Sequence, residues 1–245
     1  MTEAGEAGGD ALGPIEAPAS SDRLYLVRGV DVDPYRPIVS GDVFNGRNES
    51  LEAEHDMLMV VSHPCSMRAG AHLRPRLQVA PVVAHRKLSV DEWRTGSYKV
   101  MPLPDLRDDA SFAASFDLNA PIKTEELDLA ERVCCLSEYG ILVLYQRHIR
   151  HLTRLEVGVR NLEPVTRAVL TEIELQDEWN QGLARPRVEA SEELETVLRE
   201  EENAFDTFMG SEGTGGLTLR EELANPYLHA SVRRAVAVEI ERRST

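Results

Sequence analysis

Near Ser137 the spacing of apolar residues changes period, and this change constrains the fold more than any other feature of the chain. Before it, apolar residues come in short runs at 24–27, 38–39, 41–44, 57–61, 77–83, 98–103 and 111–118, bounded by Pro, Gly or Asp. Runs of this length and punctuation read as strands. Five or six of them at such spacing predict a small antiparallel barrel or sandwich. From Ser137, a good N-cap residue, Ile141, Leu142, Leu144, Tyr145, Ile149 and Leu152 recur on one helical face. Helical signals continue to the end. Glu163-Pro164 opens a segment with Val165, Val169, Ile173 and Trp179 on one side, and Ser191 opens another with Leu194, Val197, Leu198, Phe205 and Phe208, ended by Gly210. Thr218-Leu219-Arg220-Glu221 has the form of a capping box, and Asn225-Pro226 opens a last helix with Leu228, Val232, Val236 and Ile240 inward. The fold class read from this order is α+β, with strands first and helices after.

Charge divides the chain at similar places. The 245 residues carry a formal net charge of −15, which excludes a generally basic nucleic-acid coat protein. Residues 1–22 hold five acids and no base in a Gly-, Ala-, Pro- and Ser-rich setting, and read as a disordered acidic tail. Residues 23–160 read as the barrel domain with its terminal helix, near neutral at −1, and residues 161–245 as an acidic helical extension at −9. Within 57–103, Arg68, Arg74, Arg76, Arg86, Lys87, Arg94 and Lys99 stand against only Asp91 and Glu92. A local +5 surface of this kind suits a phosphate-bearing ligand. The helix after Ser137 adds Arg147, Arg150, His151 and Arg154 opposite its apolar face, read first as a solvated face pairing with the C-terminal acids and second as a phosphate contact.

Other classes are excluded more simply. Three cysteines, two of them adjacent, make no disulfide framework, and no apolar run approaches the roughly 18 residues of a membrane span. The acidic first ten residues are unlike a signal peptide, so a cytoplasmic protein without membrane contact is expected. Cys134-Cys135, with His148 and His151 after them, lack the two-residue gap of a structural zinc site, and no glycine-rich phosphate loop is present. No metal or cofactor is expected. Asp108-Asp109 reads as a turn rather than a carboxylate dyad.

The string Ser62-His63-Pro64-Cys65-Ser66-Met67-Arg68 follows the strongest strand run, where a rigid strand end positions exposed groups. His63 there could act as a general acid or base and Cys65 as a thiolate, or the segment is a Pro turn with a small filler. Gly41-Asp42-Val43-Phe44, the apolar run 57–61 ending at Ser62, and Val79-Ala80-Pro81-Val82 together resemble the MazF/PemK-like toxin family, over about residues 38–103. Ser62-His63-Pro64-Cys65 is also similar to a Ser-x-x-Cys string in a divergent bacterial branch. The resemblance implies an SH3-like antiparallel β-barrel and metal-independent cleavage of single-stranded RNA. The family's Arg-Pro before the central strand is His55-Asp56 here, and its Thr-Ser after the Val-Pro-Ile strand is Val83-Ala84-His85. Catalysis would therefore fall to His63, Arg68 and His85, with Arg74, Arg76, Arg86 and Lys87 binding substrate. The other reading is a catalytically inactive barrel that binds protein, a second copy of itself or nucleic acid, in a bacterial defence or stress complex.

Overall fold

The computed structural model describes residues 15–49, 51, 55–96, 98–214 and 216–245. The first half is β1 (Tyr25–Arg28), β2 (Val43–Asn45), β3 (Met57–Val60), α1 (Pro64–Met67), β4 (Arg68–Ala69), β5 (His72–Leu73), β6 (Arg76–Ala84), α2 (Val90–Thr95), β7 (Val100–Arg107), β8 (Ala110–Ser115), β9 (Ala120–Lys123) and β10 (Arg132–Leu136). Seven strands form one antiparallel sheet in the order β1-β10-β2-β3-β6-β8-β7, with β9 added to β6 and β4–β5 a separate hairpin. The sheet curls until its edges meet: Tyr25 on β1 donates from Oη to the carbonyl of Pro104 on β7 at 2.8 Å. The result is a nearly closed barrel, and the chain is α+β as the sequence pattern predicts.

Alternation explains the layers. On β3, Met57 and Met59 enter one cluster with Ala80 and Val82 of β6, while Leu58 and Val60 enter another with Leu77 and Val79. The central strands are thus buried on both faces. The larger cluster fills the barrel and receives Ile141, Leu142, Leu144 and Tyr145 from α3 (Glu138–Thr153), whose N-cap Ser137 accepts from Gly140 N at 3.0 Å. Gly41 makes the tight approach to β2 possible. Its φ of 88° is left-handed, and a Cβ there would lie 2.5 Å from Leu136 Cδ1. Beside it Asp42 and Arg132 form a fully buried ion pair at 3.4 Å. The Asp108-Asp109 turn joins β7 to β8 with φ of 43° and 61°, the left-handed pair a type I′ hairpin needs.

The second half is helical: α4 (Val159–Trp179), a π-turn (Asn180–Ala184) leading into α5 (Arg185–Glu189), α6 (Leu194–Met209), α7 (Leu219–Glu222) and α8 (His229–Ser244). Its core joins Leu175, Trp179, Phe205, Met209, Val232 and Val236 with Ala71 from the barrel's β4–β5 turn. Thr218 and Glu221 make the expected capping box. No helix among the described residues is long and apolar enough to cross a membrane.

Several expectations are corrected. Residues 15–22 of the assigned tail belong to the fold: Ile15 is 1% exposed and Glu16 N donates to Gln146 Oε1. Residues 1–14 lie outside those described. Residues 38–39 form no strand, because Val39 N is taken by the Asp42 carboxylate instead of a neighbouring strand. Leu152 is 67% exposed, as it lies in the last turn of α3, and Val165 is 66% exposed on α4. Glu193, not Ser191, caps α6, since Ser191 takes a left-handed φ of 86° in the preceding turn.

Candidate functional site

The seven sequence-derived site residues fall into two groups. His63, Arg68, Arg74 and Arg76 lie near the start of β6, and His85, Arg86 and Lys87 lie just past its end. A nine-residue strand separates the groups by roughly 25 Å at about 3.3 Å per residue. His63 therefore cannot share a substrate phosphate with His85. The positive window is also dispersed electrostatically. Arg86 pairs bidentately with Glu92, Lys87 Nζ lies 2.9 Å from Asp105, and Lys99 lies 3.1 Å from Asp117. Arg74, Arg76 and Arg94 are exposed. The single cationic concavity expected from the sequence is absent among the described residues.

Each imidazole has a local role. His63 caps the short helix α1, with Nδ1 accepting from Cys65 N at 3.3 Å, and its ring lies 4.6 Å from that of Tyr145. Burial pushes its pKa below the ordinary histidine value. His85 approaches the Arg86 carbonyl through Nδ1 at 2.7 Å.

Arg68 is the residue around which the structure organises. It is 7% exposed, and its Nη1 donates to Ala71 O at 2.6 Å and to Gln176 Oε1 at 2.8 Å, while Nη2 donates to Ile38 O at 3.3 Å. None of these three partners is a carboxylate. Burial lowers its pKa to about 10, against the field of Glu202, Glu172 and Asp42. Nε, though buried, has no hydrogen-bond partner. A guanidinium has five donors, so this cation is held but incompletely satisfied.

Arg68 belongs to one of two polar clamps between barrel and helices. In the first, Ala71 N donates to Asp206 Oδ1 at 3.0 Å, and His72 lies 3.4 Å from Glu202. Gly70, φ 65°, permits the approach, since a Cβ there would sit 2.2 Å from Asp206 Oδ1. In the second, the loop before β2 is gripped by the end of α4 and the π-turn. Arg36 Nη1 pairs with Asp177 at 2.9 Å, Asn180 Nδ2 donates to Tyr35 O at 2.8 Å, and Gln181 Nε2 donates to Asp33 at 2.9 Å.

Between the clamps lies a cavity of about 360 Å³. Its apolar side is Leu73, Leu127, Leu129 and Leu198; its polar side includes Arg36, Arg68, Gln176 and Asn180. Three polar atoms of these residues, Arg36 Nε, Arg68 Nε and Asn180 Oδ1, are buried without a partner. Their concentration around one cavity is notable because buried polar groups are almost always paired. A π-turn at the same place is the kind of helix irregularity that accompanies functional sites. Small-molecule sites have this composition, an apolar wall with a few converging polar groups.

Arg36, Gln176 and Asn180 were not singled out by the sequence. The signal was present in part: Gln176 and Asn180 are four apart and adjoin the inward residues Leu175 and Trp179, so two amides sit on a buried helical face. The basic stripe of α3 also needs correction. Arg147 is fully buried, donating to Val100 O and Trp93 O and stacked over Trp93, because the helix is enclosed by β7 and α2 on that side. Arg150 pairs with Glu156, close to the helix itself, and Arg154 lies over Tyr98. Cys134 and Cys135 are buried in β10, while His148 stacks on Phe116. Among the described residues no group of three or more His, Cys, Asp or Glu is placed to hold a metal ion. No protein-family model matches the chain, and no curated protein sequence matches it significantly.

Proposed function

We propose that this protein is a recognition module without a nuclease centre, working through the cavity between its barrel and its helical lobe. One observation carries the reading: Arg68, the cation best placed to stabilise a phosphate after the central strand, is instead buried and bonded to Ala71, Gln176 and Ile38. A group that stabilises transition-state charge must reach the reacting phosphate. Arg68 faces the helical lobe, and the histidines that would move protons are at opposite ends of β6. The barrel resembling the toxin family thus serves as a scaffold, with acidic helices fixed to one end of it.

The test is direct. Purified full-length protein incubated with varied single-stranded RNAs in the presence of chelator is expected to leave them intact. Cleavage that disappears in His63→Ala or Arg68→Ala, each shown to remain folded, would overturn the proposal and restore the ribonuclease reading.

A further inference from the structure

We propose that the cavity between barrel and helices binds a small organic monoanion, an aliphatic carboxylate, with its head at Arg68 and its body along the leucines. This rests on the reading of the chain as a recognition module and names the ligand class of that site. The hydrogen-bond partners favour a single negative charge. Of the two guanidinium groups beside the cavity, the partly buried Arg36 is paired with Asp177, whereas the buried Arg68 makes hydrogen bonds only to neutral groups and feels Glu202, Glu172 and Asp42 from farther away. A buried cation with a spare donor and no carboxylate in hydrogen-bond contact favours one anionic head. Its unused Nε donor, with that of Arg36, could supply hydrogen bonds that a carboxylate accepts.

The rim points the same way. Glu125, Glu195 and Glu202 border the cavity with only Arg199 beside them, so repulsion at the mouth grows with ligand charge, modest for a monoanion and largest for a polyanion such as an RNA strand. A volume of about 360 Å³ holds one small molecule and is near the low end of the roughly 300–1,000 Å³ typical of ligand sites. Leu73, Leu127, Leu129 and Leu198 supply an apolar wall that would suit an alkyl body and does nothing for inorganic phosphate. Asn180 Oδ1, the unpaired acceptor, would be satisfied by a donor beside the carboxylate, such as a hydroxyl.

Octanoate, octanol and octylamine separate head group from tail on the full-length protein. In calorimetric titrations octanoate is expected to saturate at one molecule per chain, and octanol to bind at least about tenfold more weakly, the loss expected without a charge-assisted hydrogen bond. Octylamine is expected not to bind. Arg68 also borders a second cavity, of about 310 Å³, on its α1 side. Leu198→Trp, which fills the first cavity from α6 without removing a polar group, is therefore the locating variant, and it should abolish octanoate binding while the protein stays folded. Equal binding of octanoate and octanol, no octanoate binding, or unchanged affinity in folded Leu198→Trp would each overturn the proposal. A chain that spares RNA and ignores octanoate remains a module with another ligand; one that cleaves RNA and binds octanoate overturns only the module reading.

Discussion

In the barrel, β3 and β6 bury both faces, and the interior accepts α3 as a further wall of Ile141, Leu142, Leu144 and Tyr145. In the helical lobe the apolar cluster around Trp179 and Phe205 is smaller, and the contact with the barrel combines Leu162, Leu170 and Ile173 of α4, which join the barrel's larger cluster, with guanidinium, amide and carboxylate groups at two clamps. The difference teaches how to read the charge partition. Acids concentrated after residue 160 look like bait for a basic partner, yet Glu202, Asp206 and Asp177 engage His72, Ala71 and Arg36 of the same chain. Part of the acid is internal wiring.

The barrel side of the comparison is broken most severely at Asp42. Burial pushes its pKa up while Arg132 and the Val39 amide pull it down. Asp42→Ala leaves Arg132 buried without its counter-charge and is expected to lower stability by roughly 3–5 kcal/mol in denaturant titration. Replacing both members, as Asp42→Leu with Arg132→Met, should recover part of that loss. If the single variant is as stable as the parent, the pair is not what fixes the entry to β2.

On the lobe side the largest effect should come from Arg68→Met, which strands Gln176 Oε1 and two carbonyls; about 2–3 kcal/mol is expected from broken charge-assisted hydrogen bonds. Hydrogen exchange should speed up in α4 and α6 while β10 stays protected. Uniform loosening of both regions would show that barrel and lobe melt as one unit. Gly70→Ala tests the same clamp from its backbone: a left-handed φ alone costs roughly 1–2 kcal/mol in a residue with a Cβ. Gly29→Ala, also left-handed but with nothing within 4 Å of the added carbon, should cost less than Gly70→Ala.

These contrasts show what a linear reading recovers. Strand and helix order followed from period, and Ser137, Thr218 and Glu221 announced their caps through local hydrogen-bonding chemistry. β9 was missed because it is only four residues long and Pro121 reads as a strand breaker, although its burial alternates, and β10 because Cys134 and Cys135 read as filler rather than as strand. The cavity was illegible for a different reason: its polar residues come from positions 36, 68, 176 and 180, and only the chain's path brings them together. The positive window misled because net charge over a stretch of sequence ignores partners outside it, here Asp105 and Asp117.

A smaller effect is expected from protonation. Burial holds both His63 and His148 below the ordinary histidine pKa, His148 also through His151. The unfolded chain then binds more protons than the folded one just below pH 6.5, so stability is full above that pH and falls as the pH drops through the depressed folded values. Denaturation midpoints should decline from pH 7.5 to 5.5. His63→Asn, which keeps an N-cap acceptor but removes a titrating group, should flatten the decline; an unchanged slope would remove His63 from the account.

The smallest stability change is expected at Arg86, and it separates the two ends of β6. Arg68 at one end is buried among neutral partners, whereas Arg86 past the other is exposed and grips Glu92, which it holds, together with the Ser89 amide and hydroxyl, down to about 2. Solvent already stabilises both exposed ions, so breaking their contact exchanges one good environment for another. Arg86→Ala should therefore leave the denaturation midpoint nearly unchanged while moving the Glu92 titration, followed by NMR, upward toward the ordinary glutamate range. Should Arg86→Ala destabilise as much as Arg68→Met, the exposed end of the strand would hold the fold as firmly as the clamped end, and the division between a wired and a solvated set of bases would not stand.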